Sequence, residues 1–215
     1  MGWETEQSKL VQRLRREGAA GEVVLAVLAR VPRDVFVDEA HRHLAFQDTA
    51  LPIGHAQTIS QPTVVAVMTE ALQVEASQRV LEVGTGSAYQ TAVLAELAGE
   101  GEVLSIERSP ELANLAERRL HYLGYANVRV VVGDGTLGLP QHAPFDRILV
   151  TAAAPTVPPA LIDQLAPGGR LVIPVGGRGD QRLVVVQRGD DGGLLEQSLG
   201  QVRFVPLVGA QGWPE

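Results

Sequence analysis

The chain is predicted to fold as an α/β protein, a doubly wound and mostly parallel sheet with a helical extension at its N-terminus. Three observations predict it. From residue 78 onward, short apolar runs alternate with amphipathic stretches, the pattern of strand–helix units. The runs are near-continuous rather than alternating, as strands buried on both faces require, and such strands belong to parallel sheets covered by helices. A chain of 215 residues, 45% of them hydrophobic, buries roughly 70% of its unfolded surface and needs no disulfide or metal to hold it.

Each element follows in order. Leu10, Val11 and Leu14 mark one face of a first helix, and Glu22 to Val31 form a second, stopped by Pro32. Pro52 to Gln61 is turn-rich, and Pro62 opens a third helix where its missing N–H costs nothing. RVLEVG (79–84) is the first core strand, followed by a helix over Tyr89 to Leu97, and EVLSIE (102–107) is the second. Ser109-Pro110 caps and starts a helix whose inner face is Leu112, Leu115, Ala116 and Leu123, with Gly124 as its stop. NVRVVVGDG (127–135), FDRILVTAA (145–153), RLVIPVG (170–176) and RLVVVQR (182–188) supply further strands. The change of pattern divides the chain into a helical extension over 1–75, packed on a core over 76–215, within a single structural domain.

Composition removes several function classes. Eighteen Lys and Arg against 25 Asp and Glu leave a net charge of −7, the wrong sign for a nucleic-acid coat or a polybasic membrane surface. With no cysteine there is no disulfide framework, iron–sulfur cluster, Cys zinc site or cysteine nucleophile. His41 and His43 form an H-x-H without carboxylates placed to complete a site, and His55, His121 and His142 stand apart, so no metal is assigned. Arg13, Arg15 and Arg16 read as a solvated helix face. The longest apolar run, Val23 to Ala29, is too short to span a bilayer, and MGWETEQSKL lacks the features of a secretory signal. The expected compartment is the cytoplasm.

In an open parallel sheet, ligands bind beyond the carboxyl ends of the strands, and three such ends carry suggestive groups. Gly84 and Gly86 let the backbone turn tightly after the first strand and approach a ligand, with Thr85 and Ser87 beside them. Glu82 enters that turn with a carboxylate able to accept from an ammonium group. A nicotinamide fingerprint, G-x-G-x-x-G, is broken by Tyr89 at its last position. Glu107 closes the second strand, where an acidic side chain accepts from both hydroxyls of a ribose in either NAD or S-adenosylmethionine enzymes. Gly133-Asp134-Gly135 closes the third, placing a carboxylate to meet an adenine amino group. Taken singly, each is also an ordinary turn or strand end; their order and spacing describe one nucleoside pocket.

The motifs VLEVGTGSAYQTAVLA (80–95), VVGDG (131–135), FDRILVTAAAP (145–155), LAPGGRLVIPVG (165–176) and VRFVPLVG (202–209) strongly resemble protein-L-isoaspartate O-methyltransferases. LPIGHAQTISQP (51–62) is the most specific match, because it lies outside the general methyltransferase core. The resemblance runs from about residue 8 to residue 209. It implies a class I, Rossmann-like methyltransferase fold and S-adenosyl-L-methionine as methyl donor, with S-adenosyl-L-homocysteine as product and no metal. The implied reaction is methylation of the free α-carboxylate of L-isoaspartyl residues in damaged proteins and peptides, whose esters collapse to succinimides and so begin repair. Glu82, Gly84, Thr85, Gly86, Ser87 and Glu107 match the cofactor site, with Gly133, Asp134 and Gly135 around the adenine. Gln57, Thr58, Ile59 and Ser60 match the segment over the methyl donor, and Ser60 the residue regarded as catalytic. The family tendency is a monomer, with no nucleic-acid or membrane partner.

Two positions depart from the family: Ala88 stands where a third glycine is usual, and Ala56 where bacterial members often have glycine. A positive φ at 88 would cost alanine about 1 kcal/mol. An α-carboxylate, with a pKa near about 3.5, is already ionised at pH 7. Methyl transfer to it needs no general base, so Ser60 is expected to act as a positioning donor; from the sequence alone it reads equally as a cap for the helix at Pro62. A methyltransferase of a small molecule or RNA, an NAD-dependent oxidoreductase, and a cofactor binder without turnover stand as the alternatives.

Overall fold

The computed structural model describes residues 2–214. Among these residues nine strands and six α-helices follow one another in chain order. Helices α1 (Gly2–Arg16), α2 (Glu22–Arg30) and α3 (Pro62–Leu72) make up the N-terminal part with a hairpin of β1 (Leu51–Gly54) and β2 (Gln57–Ile59). The core follows as β3 (Arg79–Val83), α4 (Tyr89–Ala98), β4 (Glu102–Glu107), α5 (Pro110–Tyr122), β5 (Val128–Val132), β6 (Phe145–Val150), α6 (Pro159–Asp163), β7 (Leu165–Gly176), β8 (Gln181–Arg188) and β9 (Leu194–Val202).

The main sheet has the order β5-β4-β3-β6-β7-β8-β9. The five strands from β5 to β7 run parallel, with Leu81 opposite Leu104 on one side and Ile148 on the other, and β8 and β9 return antiparallel. The fold is therefore the doubly wound, mostly parallel sheet read from the sequence. Its central strands are buried because both faces are covered: Leu81 and Val83 point into one cluster with Ile148 and Ile173, while Val80 meets Leu72, Leu94 and Leu149 on the other face. A third cluster joins Leu14, Leu25 and Leu28 of α1 and α2 to Tyr89, Ala92 and Val93 of α4.

Several readings are corrected. Strand β5 is shorter than 127–135 and half-exposed, with Val132 at 54% exposure; it is the sheet's edge, so its apolar run did not signal burial on both faces. In α5 Leu115 faces solvent at 46%, and the inner face is Leu112, Ala113, Ala116 and Leu120. The turn-rich 52–61 stretch is a two-residue hairpin loop, His55-Ala56, between short strands. Strand β9 was not read at all: LLEQSLGQV is exposed along its length and carries no apolar run. Likewise β7 begins at Leu165, through the glycines of APGG, instead of at Arg170.

Candidate active site

The chain leaves β3, builds β4 and β5 on one side, then crosses to β6 on β3's other side. The carboxyl ends of β3 and β6 thus flank the topological switch point, where a crevice opens. The turn after β3 lines it. Gly84 (φ 97°) and Gly86 (φ 51°) occupy the left-handed region. A Cβ on Gly84 would also strike the Thr151 side chain, whose hydroxyl donates to Gly84 O at 2.7 Å. Ala88 takes φ 72°, ψ 10° as the N-cap of α4, and Ala56 takes φ 56° at the tip of the β1–β2 hairpin. Both usual glycine positions therefore adopt glycine's backbone with alanine in place.

Glu107 closes β4 against this turn. Its Oε2 accepts from Gly86 N–H at 2.9 Å and its Oε1 from Ser109 N–H at 3.0 Å, which fixes the carboxylate while leaving each oxygen a free lone pair. Glu82 lies elsewhere than expected. It is fully buried beneath the turn and outside the cavity wall, with Oε2 accepting from Thr91 and Ser105 hydroxyls at 2.5 Å each. Ser105 in turn meets the Thr85 hydroxyl at 2.6 Å, and Glu82 Oε1 has no hydrogen-bond partner among the described residues. Burial pushes the Glu82 carboxyl up to about 8, with the two hydroxyls pulling against it and Glu107 adding to it. At neutral pH it is largely neutral, the wrong state to attract an ammonium group.

At the third strand end, Gly135 lines the cavity, and a Cβ there would strike Val83. Gly133 and Asp134 are not part of the wall. Asp134 holds the C-terminal segment instead: Oδ1 accepts from Thr136 N–H and its hydroxyl at 2.9 and 2.7 Å, and Oδ2 from Ala210 N–H at 2.8 Å. Burial raises this carboxyl, but those donors and the Arg108 charge outweigh it and hold it below its ordinary value.

The cavity has a volume of about 920 Å³ counting its mouth. Gln57, Thr58, Ile59, Ser60, Gly84, Thr85, Gly86, Ser87, Glu107 and Gly135 all contribute to its wall. A second cavity, about 870 Å³ by the same measure, lies between Gln61, Val64 and the segment 201–205. The two share Thr58, Ser60, Thr151 and Val205. Ser60 does not cap α3. The N-cap is Gln61, and the Thr63 N–H is taken by Asp48 Oδ1 at 2.9 Å, from fifteen residues back in sequence. Sequence reading missed Thr151, Arg108 and Asp48. Thr151 was findable as the residue just beyond the carboxyl end of β6; Asp48 was not, since its partners stand at no local spacing.

Tyr89, in the place of the fingerprint's last glycine, is buried. It meets Phe36 edge-on at 5.5 Å, with the buried Arg33 guanidinium 5.1 Å from its ring. A ring at that position leaves no close helix–strand approach of the dinucleotide-binding kind.

Residues 5–212 match the family model for protein-L-isoaspartate(D-aspartate) O-methyltransferase. The protein-L-isoaspartate O-methyltransferase of Hyperthermus butylicus is 51% identical over 217 residues, covering 96% of this chain and 90% of that one. Protein-L-isoaspartate O-methyltransferase 1 of an Anaeromyxobacter species is 58% identical, covering 91% and 92%. Among solved structures, a protein-L-isoaspartate O-methyltransferase superposes with TM-score 0.87 at 29% identity, over 96% of this chain and 67% of that one. A Plasmodium falciparum β-aspartate methyltransferase in complex with S-adenosyl-L-homocysteine superposes with TM-score 0.84 at 26% identity, over 94% and 98%.

Proposed function

The chain belongs to the protein-L-isoaspartate(D-aspartate) O-methyltransferase family, and from that premise we propose how its residues carry the reaction. The protein is an S-adenosylmethionine-dependent methyltransferase that methylates the free carboxylate of L-isoaspartyl residues in damaged proteins, the first step of their repair. The first cavity fits the methyl donor: its glycine turn admits no Cβ at Gly84, and Glu107 is held with acceptor capacity to spare. Glu107 would take the ribose hydroxyls and the 84–87 turn the amino-acid part; Gly133 and Gly135 would shape the adenine slot, with Asp134, beside the cavity and not in its wall, keeping a lone pair on Oδ2 for the adenine amino group. Glu82 supports that turn from beneath, through Ser105 and Thr85. When bound, the donor supplies an electrophilic methyl group on a sulfonium.

One observation carries the assignment of the acceptor side. Ser60 belongs, with Thr58, Thr151 and Val205, to the walls of both cavities, so a carboxylate entering from the second reaches the first past these residues. We assign Ser60 to orient that carboxylate by donating to it. No residue has to remove a proton, because the acceptor is ionised at neutral pH. Gln57, Thr58 and Ile59 close the site against water. Alignment at about 3–3.5 Å then supplies much of the rate. The extension (1–75) serves as the cover and the core (76–215) as the donor-binding part. The protein is assigned as a cytoplasmic monomer, and as one without a nucleic-acid partner, the last of these supported by its net charge of −7.

The test is transfer of tritiated methyl to matched peptides containing L-isoaspartate or L-aspartate, read as base-labile methanol. The main chain of L-isoaspartate runs through the side-chain carbonyl, so its free carboxylate sits one methylene closer to the backbone than that of aspartate. A misplacement of about 1 Å costs on the order of 100-fold, so strong labelling of the isoaspartyl peptide and almost none of its isomer is expected. Equal rates would mean that the pocket reads charge alone, and the assignment of the acceptor side would fail.

A further inference from the structure

Residues 45–49 form a turn just ahead of β1, next to Ala50 of the second cavity's wall. From one side, the buried Arg33 donates to Ala45 O at 2.8 Å and Thr49 O at 3.4 Å. From the other, Arg13 of α1 stands 3.5 Å from Asp48. Asp48 itself gathers the residues that follow Ser60. Its Oδ1 accepts from Thr63 N–H at 2.9 Å, and its Oδ2 from the Gln61 carboxamide and the Thr63 hydroxyl at 2.8 Å each. Burial alone would raise this carboxyl, but those donors together with Arg13 hold it below its ordinary value, so it is ionised at neutral pH.

An ionised carboxylate only accepts, so the Gln61 carboxamide must turn its NH2 toward Asp48. That leaves Gln61 Oε1 as the uncommitted end, with no hydrogen-bond partner among the described residues, on a side chain that lines the second cavity. We propose that Asp48 is a positioning residue for the acceptor. It fixes the Gln61 carboxamide with its oxygen kept for a main-chain N–H of the isoaspartyl peptide, and it holds Ser60 at the junction of the two cavities. A main-chain contact suits a repair enzyme, because it reads the peptide without reading neighbouring side chains. The inference rests on the second cavity being the acceptor side.

Asp48→Asn separates orientation from folding. One oxygen remains to take the Thr63 N–H, so the start of α3 persists, but an NH2 in place of the other oxygen no longer holds the Gln61 amide one way round. Asp48→Asn and Gln61→Met are each expected to lower kcat/KM for an isoaspartyl peptide by about tenfold, mainly through KM, the worth of one lost hydrogen bond. The double variant should lose no more than either single one. The cofactor Kd, by calorimetry, should stay within about twofold of wild type. Wild-type kcat/KM in Asp48→Asn, additive losses in the double variant, or an equal weakening of cofactor binding would each overturn the proposal. Asp48→Ala adds a second route to refutation. If it lowers Tm while its folded fraction keeps wild-type kcat/KM, Asp48 is a helix cap and nothing more. Failure of the acceptor-side reading shows up separately, as a wild-type protein that labels both peptide isomers equally.

Discussion

Two carboxyl groups near the strand ends, Glu107 and Glu82, do different work because their surroundings differ. Glu107 is fixed by two backbone donors and keeps lone pairs for a ligand; Glu107→Ala is expected to weaken the methyl donor by roughly 2–4 kcal/mol, since the ribose hydroxyls lose charged acceptors in a dry site. An unchanged Kd by calorimetry would remove Glu107 from the pocket. Glu82 is fully buried, which pushes its carboxyl up to about 8 from 4.5. Between those values the folded state binds more protons than the unfolded one, so this group lowers stability progressively as pH rises from about 4.5 to about 8, and adds no further change above that. Glu82→Gln carries no such charge. Its Tm relative to wild type is therefore expected to climb across that window, and a constant difference would show that Glu82 is ionised throughout. Ser60→Ala should lower turnover and leave donor binding largely intact, with no ionisation gained or lost in the rate profile between about pH 6 and 8. Activity at the wild-type level would remove Ser60 from the chemistry.

At the scale of elements, the two alanines in glycine's backbone test how local strain is offset. A left-handed conformation costs an L-residue about 1–2 kcal/mol; replacing alanine by glycine removes that strain but loses about 0.4–1 kcal/mol to the freer unfolded chain. Ala56 is exposed on the hairpin tip, so Ala56→Gly is expected to stabilise by about 0.5–1 kcal/mol in denaturant unfolding. The Ala88 methyl is fully buried among α4's neighbours, and losing it costs about 0.8 kcal/mol more. Ala88→Gly should therefore be close to neutral, and a large gain there would mean the methyl is poorly packed. These elements also show what the sequence discloses. The central strands were legible because burial on both faces leaves an unbroken apolar run, as in RVLEV and FDRILV. Strand β9 was not, because an exposed edge selects no pattern, and β5 misled because an edge strand kept valines where solvent reaches them. The glycine turn and Glu107 were legible as strand ends. Glu82 was misplaced because a strand alternates its side chains between faces, and sequence does not say which face holds the ligand.

At the scale of the molecule, much of the first cavity's wall comes from three stretches far apart in the chain: 57–60 from the hairpin and the residue after it, 84–87 with Glu107 from the sheet, and 205–208 from the C-terminal segment. That last stretch is held at several points. Leu207 N–H donates to Ala153 O at 2.8 Å, Trp213 Nε1 donates to the same oxygen at 3.0 Å, and Asp134 takes the Ala210 N–H. The hairpin is held less firmly, by a short two-stranded sheet whose tip bears two left-handed residues, His55 and Ala56. A ligand touching all three stretches joins them, and binding only to the folded state stabilises it by about 2.7 kcal/mol at a hundredfold excess over Kd. S-adenosyl-L-homocysteine, the product of the reaction, is the practical probe. It is expected to raise Tm and to slow hydrogen exchange at 57–60 and 205–208 as well as at 84–87. The larger change should fall on 57–60, because a segment with few ties of its own opens most readily in the free protein and has most protection to gain. Protection confined to 84–87 and Glu107 would mean that the hairpin and the C-terminal segment stand clear of the donor, and that the cover attributed to residues 57–60 is made by the acceptor instead.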